Sequence, residues 1–148
     1  MKRTDVVKVS IPGDRFTPFS LAKKLGALAV LESASFAHGK ARYSILLLDE
    51  AFRIIQDDLG ISFLIHGNRQ RYDQTDMVVG DKIPDILDVL LYVAEQNAVP
   101  SEGIPLPGAG IGYLSYEFCT RCDTIRMQSQ KDDLKIPESA FIVGHLYI

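Results

Sequence analysis

The sequence has few cysteines, no excess of positive charge and no long apolar run, and each scarcity excludes a class of protein. Two cysteines among 148 residues are too few for a disulfide scaffold and fit a reducing cytoplasm. Sixteen Lys and Arg against nineteen Asp and Glu leave a formal net charge of −3, which excludes a strongly basic surface as the basis of nucleic-acid binding. Apolar runs such as Ile45–Leu48 are far shorter than the roughly 20 residues that span a bilayer. We therefore expect a cytoplasmic protein that binds neither nucleic acid nor membranes.

What the sequence does contain is the composition of an ordinary globular domain. Hydrophobic residues make up 47% and charged residues 24% of the chain, as in typical soluble domains. A chain of this length buries roughly 68–70% of the surface that it exposes when unfolded. Residues 1–148 are therefore predicted to form one domain.

The pattern of apolar residues predicts short strands and two helices. Thr17-Pro18 is a typical helix start and Gly26 a typical stop, and an apolar stripe with the i, i+3, i+4, i+7 spacing predicts a longer helix over 83–97. Alternating or continuous apolar runs separated by tight turns predict antiparallel strands. The predicted strands are 6–11, 27–33, 42–48, 52–57, 61–66, 69–72, 111–118 and 139–148. The fold class is therefore α+β, with mainly antiparallel sheets packed as a sandwich and about two flanking helices.

The last predicted strand is still apolar where the sequence stops at Ile148. Because domain ends tend to be polar and loosely held, we expect the chain to be part of a longer protein. Its exposed apolar surface would then allow self-association.

Two motifs suggest chemistry at first sight. Cys119-Thr120-Arg121-Cys122 has the spacing of a zinc or redox pair, but zinc needs two further ligands and only His145 is a plausible one. Incidental thiols are the favoured interpretation, and no metal site is predicted. Gly108–Gly112 precedes a strand and lacks the Walker lysine, which indicates a close backbone approach or bend, not a phosphate loop.

Glu32 and Ser33 end an otherwise apolar strand. They could simply emerge into water, or they could form a polar recognition site that accepts a ligand ammonium beside apolar neighbours. Arg42 and Tyr43 at the start of the next strand could add a cation and an aromatic wall. Spacing alone leaves both interpretations open.

Five segments, in order, resemble the N-terminal domain of anthranilate synthase component I and its relative aminodeoxychorismate synthase component I. The segments are Thr17-Pro18 with Leu21, Val30-Leu31-Glu32-Ser33, Ala41-Arg42-Tyr43-Ser44, Gly108 through Glu117, and Asp132-Asp133-Leu134 with Pro137. The second segment resembles the family's Leu-Leu-Glu-Ser signature, and the third resembles Gly-Arg-Tyr-Ser. The fourth resembles Gly-Gly-x-x-Gly-Tyr-x-x-Tyr-Glu, with Ala109 in place of the second glycine.

The resemblance implies a regulatory and scaffolding domain of a longer lyase. Such enzymes convert chorismate to an aminated aromatic product with ammonia from a glutamine amidotransferase subunit. Chorismate and Mg²⁺ bind in a larger C-terminal domain that this chain lacks. The chain alone is therefore expected to have no catalytic residues and no activity.

The resemblance also implies a ligand. The Leu-Leu-Glu-Ser segment lines a tryptophan pocket for feedback inhibition in anthranilate synthases, so the implied effector-binding residues are Leu31, Glu32, Ser33 and Tyr43. Glu32 favours the anthranilate branch of tryptophan biosynthesis. The alternatives are the aminodeoxychorismate synthase of the folate pathway and a stand-alone small-molecule-binding module.

Overall fold

The chain was analysed as a computed structural model, which describes residues 6–13, 15–33, 43–71, 85–98, 106–124 and 134–148. The helices are α1 (Pro18–Leu25), α2 (Ile86–Gln96) and α3 (Cys119–Cys122), the last preceded by a 3₁₀ turn at Tyr116–Phe118. The strands are β1 (Ala29–Glu32), β2 (Ser44–Asp57), β3 (Gly60–Ile65), β4 (Asn68–Arg71), β5 (Ile111–Leu114) and β6 (Ser139–Tyr147).

All six described strands belong to one antiparallel sheet. Its order is β4-β3-β2-β6-β5, and β1 pairs with β2 as well. β1 pairs with the beginning of β2, from Ser44 to Leu47, whereas β3 pairs with its end, from Arg53 to Asp57. The predicted α+β class with antiparallel strands is confirmed, and the described strands form a single connected sheet.

β2 is one strand of 14 residues, where the sequence predicts separate strands over 42–48 and 52–57. Its pairing with β6 shifts register between Leu47 and Phe52. The polar Asp49 and Glu50 in this stretch suggest a break, but Glu50 accepts a 2.8 Å hydrogen bond from Nε of Arg53 on the same strand. β2 therefore continues through a local irregularity, with the Glu50 charge neutralised by Arg53, where the sequence predicted a break between two strands.

The core lies where α2 covers the sheet. The Asp85 side chain accepts hydrogen bonds from the backbone N–H groups of Leu87 and Asp88, and the Asp88 side chain accepts from the N–H of Asp85, which forms a capping box. Helix α2 therefore begins at Ile86, and the predicted start at Ile83-Pro84 lies outside the described residues. The buried core residues are Ile54, Ile61, Ile86, Val89, Leu90, Val93, Phe118 and Val143.

Two strand predictions are corrected. Residues 6–11 form no strand, and their apolar side chains are exposed, up to 83% at Val7. Alternation favours a strand only where a sheet edge is available to pair with it, and none of the described strands pairs with this segment. The predicted strand 111–118 ends at Leu114, because the backbone turns at Ser115 into the 3₁₀ turn and α3. Residues 119–122 thus form a short helix, and residues 125–133 lie outside the described part.

The glycines of residues 108–112 permit close backbone contact, as predicted. A Cβ on Gly110 would overlap the carbonyl oxygen of Ile142, and one on Gly112 would overlap that of Ala140, both on β6. Gly110 also has a φ of 87°, which L side chains rarely adopt. These two glycines therefore allow the beginning of β5 to pack closely against β6.

No helix in the described part of the chain is long and apolar enough to cross a membrane.

Candidate functional site

An open cleft lies at the end of the sheet where β1, the beginning of β2 and the end of β6 meet α1. Its volume is about 360 Å³, which falls within the usual range of small-molecule sites. Six of its lining residues are apolar or aromatic and two are serines. The lining consists of Phe16, Pro18, Leu21, Ser33, Tyr43, Ser44, Leu46 and Ile148.

Helix α1 forms one side of the cleft. Thr17 caps it by accepting a 3.2 Å hydrogen bond from the Ser20 N–H, and Pro18 occupies the first helical position, where its missing N–H has no cost. The helix ends at Gly26, whose φ of 68° lets its N–H bond the carbonyl of Ala22. These local signals fix the position of Leu21 on the cleft side of α1.

The sheet forms the other side. Leu46 and Ile148 exchange two backbone hydrogen bonds, of 2.7 Å from the Leu46 N–H and 2.9 Å from the Ile148 N–H. On the opposite edge of β2, the Leu28 N–H donates to the Leu47 carbonyl at 2.8 Å. The beginning of β2 is thus held on both edges, which makes buried Leu46 a firm part of the cleft wall.

The structure brings two of the four predicted effector residues into the cleft lining, Ser33 and Tyr43. Glu32 lies directly opposite Ser44 in the β1–β2 pairing. Since directly paired residues share a face of a sheet, Glu32 lies on the same face as Ser44, which lines the cleft, and it is exposed. Leu31 pairs with Ile45 and therefore lies on the opposite face. Arg42, the candidate cation, lies outside the described residues.

Several cleft residues were not singled out by the sequence. Phe16, Leu46 and Ile148 are far apart along the chain, and only the pairing of β2 with β6 and the packing of α1 against β1 and β2 bring them together. The Nζ of Lys24 lies 5.2 Å from the centroid of the Phe16 ring, a cation–π distance. The Thr-Pro signal predicted the start of the helix that carries Leu21, but it does not show which residues Leu21 faces.

The described part of the cleft suits the binding of a small molecule. No charged side chain belongs to the lining that the structure describes. The described residues also contain no group of three His, Cys, Asp or Glu side chains that could hold a metal ion. Apolar walls, the hydroxyls of Ser33, Ser44 and Tyr43, and the carboxylate of Glu32 opposite Ser44 can hold an apolar body with an ammonium group.

The cysteine motif lies elsewhere, beside β6. Both thiols are free, and the Arg121 guanidinium between them donates to Glu138 through Nε at 2.6 Å and an Nη at 2.7 Å. This hydrogen bonding raises the pKa of Arg121 above its ordinary value. Glu138 also accepts from Nε2 of buried Gln56 on β2 at 3.2 Å. The motif thus anchors α3 to the sheet through its arginine.

No protein-family model matches the chain, and neither does any solved structure. The chain is 46% identical over 144 residues, 97% of its length, to anthranilate synthase component 1 of Spirochaeta aurantia. It spans only 28% of the length of that protein. The resemblance indicated by the five motifs is confirmed: along nearly its whole length, the chain is related to a part of an anthranilate synthase component 1.

Proposed function

We propose that this chain is the non-catalytic, effector-binding N-terminal domain of an anthranilate synthase component I, and that its effector is tryptophan. The similarity to anthranilate synthase component 1 supports the assignment to this enzyme. The observation that carries the binding role is the cleft, which contains Ser33 and Tyr43 and has Glu32 on the same face.

Tryptophan suits the cleft chemically. Its indole would contact the apolar and aromatic lining, and its ammonium would lie near the Glu32 carboxylate. The Ser33 and Ser44 hydroxyls could bond the remaining polar groups. In the longer enzyme, tryptophan would inhibit by binding one inter-domain arrangement better than another.

The catalytic step belongs, in this proposal, to the remainder of the enzyme. That part would bind chorismate and Mg²⁺ and take ammonia from a glutamine amidotransferase subunit in the cytoplasm. The similarity names anthranilate synthase, which favours this product over aminodeoxychorismate. We expect the purified chain to form no product from chorismate, ammonia and Mg²⁺ in a fluorescence assay for anthranilate. Measurable turnover would contradict the assignment of catalysis to another domain.

Tryptophan binding tests the effector site directly. The chain contains no tryptophan of its own, so the fluorescence of added tryptophan reports binding without background from protein tryptophan. We expect wild type to bind, and Ser33→Ala to raise the Kd roughly three- to tenfold, because a ligand hydrogen bond is lost.

Ser10→Ala is the matched control, since Ser10 is exposed and does not line the cleft. It should bind as wild type does. Equal affinity of the Ser33→Ala variant and wild type would remove Ser33 from the site, and absence of tryptophan binding to wild type would contradict the proposed function of this chain.

A further inference from the structure

Two aromatic rings border the cleft from different elements. Phe16 directly precedes the Thr17 cap of α1, and Tyr43 directly precedes β2. The side chains are 51% and 45% exposed, respectively, so each keeps ring surface available to a ligand. Because α1 packs against β1 and β2, one ring belongs to the helix side of the cleft and the other to the sheet side.

A charged side chain of α1 lies over the Phe16 ring. Lys24 lies in the last turn of α1, and its Nζ is 5.2 Å from the ring centroid. Lys24 itself does not line the cleft. The cation–π contact therefore restrains the ring without occupying the ligand space.

The other apolar lining residues give little selectivity. Leu21, Leu46 and Ile148 are aliphatic and would accept any apolar side chain of suitable size, since hydrophobic pockets separate similar ligands only weakly. An aromatic ring instead favours a second ring, because offset or edge-to-face pairs gain energy beyond their buried area.

We propose that Phe16 is a specificity-determining residue of the cleft, selecting aromatic over aliphatic amino acids, and that Lys24 is a positioning residue that orients its ring. The ligand class rests on the proposed function, whereas the roles of Phe16 and Lys24 rest on the geometry of α1.

The experiment compares tryptophan with leucine as ligands of the chain, both followed by ligand-observed NMR. Phe16→Leu should weaken tryptophan binding roughly three- to tenfold and leave leucine binding unchanged. Phe16→Tyr keeps the ring and should retain the wild-type preference. Phe19→Leu is the matched control, because Phe19 lies only three residues away, in the first turn of α1, but is exposed and outside the lining.

The positioning role has its own test. Lys24→Met should reduce the tryptophan-to-leucine preference by less than Phe16→Leu does, and Lys24→Arg should restore it, since a guanidinium also binds a ring face. If Lys24→Met reduces the tryptophan-to-leucine preference and Lys24→Arg reduces it equally, the cation–π role is overturned.

The possible failures are distinguishable. Wild-type tryptophan affinity in Phe16→Leu would overturn this inference and leave the proposed function standing. Equal weakening of both ligands would show that Phe16 only supports the shape of the cleft, which also overturns it. If wild type binds no tryptophan, the proposed function and this inference fail together.

Discussion

At the scale of single residues, Tyr147 connects the end of β6 to its own backbone. Its phenolic oxygen accepts a 2.8 Å hydrogen bond from the Gly144 N–H. Burial of the ring raises the pKa of Tyr147 above its ordinary value, and the Gly144 hydrogen bond offsets only part of this shift. The neutral phenol is thus the form that the fold favours.

Tyr147→Phe should destabilise the chain by about 1 kcal/mol, since the part-buried Gly144 N–H loses its partner. Because the pKa is raised in the folded state, the wild-type contribution is complete below about pH 10 and is lost as the pH rises through the folded pKa. The Tyr147→Phe variant has no such pH-dependent loss of stability. Urea unfolding at about pH 8 and about pH 11 measures the free energy of unfolding of wild type and variant. A stability difference between the two proteins that is the same at both pH values would contradict the prediction.

The sequence predicted individual site residues to the extent that a local pattern carried them. Polar residues ending an apolar strand suggested Glu32 and Ser33, the start of the next strand suggested Tyr43, and the resemblance implied all three as effector-binding residues. Leu31 was implied by the resemblance to the Leu-Leu-Glu-Ser signature alone, and its pairing with Ile45 places it on the other face. Phe16 and Ile148 could not be found, because their proximity depends on contacts between distant parts of the chain.

At the scale of elements, the contact between β5 and β6 depends on a glycine. Gly110 and Gly60 have similar positive φ values, 87° and 95°, but a Cβ meets backbone only at Gly110. Replacing each glycine by alanine therefore separates the energetic cost of the close backbone approach from the cost of the left-handed backbone conformation.

Gly60→Ala should cost about 1–2 kcal/mol through its left-handed φ alone. Gly110→Ala should cost clearly more, because the β5–β6 backbones must also separate. Thermal or urea unfolding gives both values. Equal losses would show that the close approach to Ile142 has no energetic consequence.

Helices α1 and α2 were predicted because their signals are local. Pro18 and Gly26 mark the ends of α1, and the apolar stripe over 83–97 contains α2. Helix α3 was not predicted. Residues 6–11 and the middle of β2 were predicted wrongly because strand formation depends on partners far along the sequence. Residues 6–11 alternate but pair with none of the described strands, whereas Asp49 and Glu50 interrupt the apolar pattern of β2 and still pair with β6.

At the scale of the whole molecule, many large apolar side chains remain exposed. Val7 and Ile11 are more than 80% exposed, and Phe19 on α1 and Leu91 on α2 are exposed as well. Extensive exposed apolar surface promotes association. The chain also spans only 28% of its relative, so the proposed larger enzyme offers a second way to cover this surface.

We expect the isolated chain to self-associate with increasing concentration. The double substitution Val7→Lys and Ile11→Lys should reduce association and leave the melting temperature nearly unchanged, because exposed side chains contribute little to stability. Sedimentation velocity measures the first effect and calorimetry the second. Ser10→Lys, a polar position in the same segment, is the control and should associate as wild type does. A monodisperse wild-type monomer at high concentration would contradict the expectation.

The irregular pairing between Leu47 and Phe52 has a consequence for how the protein can evolve. In a strand that pairs without irregularity, one inserted residue shifts the register of all the residues on one side of it and turns their side chains to the opposite face of the sheet. In β2, the cleft end and the core end are separated by a stretch that already accommodates such a shift. A residue can therefore be inserted or lost on the cleft side of this stretch without turning the core side chains of β2 to the other face.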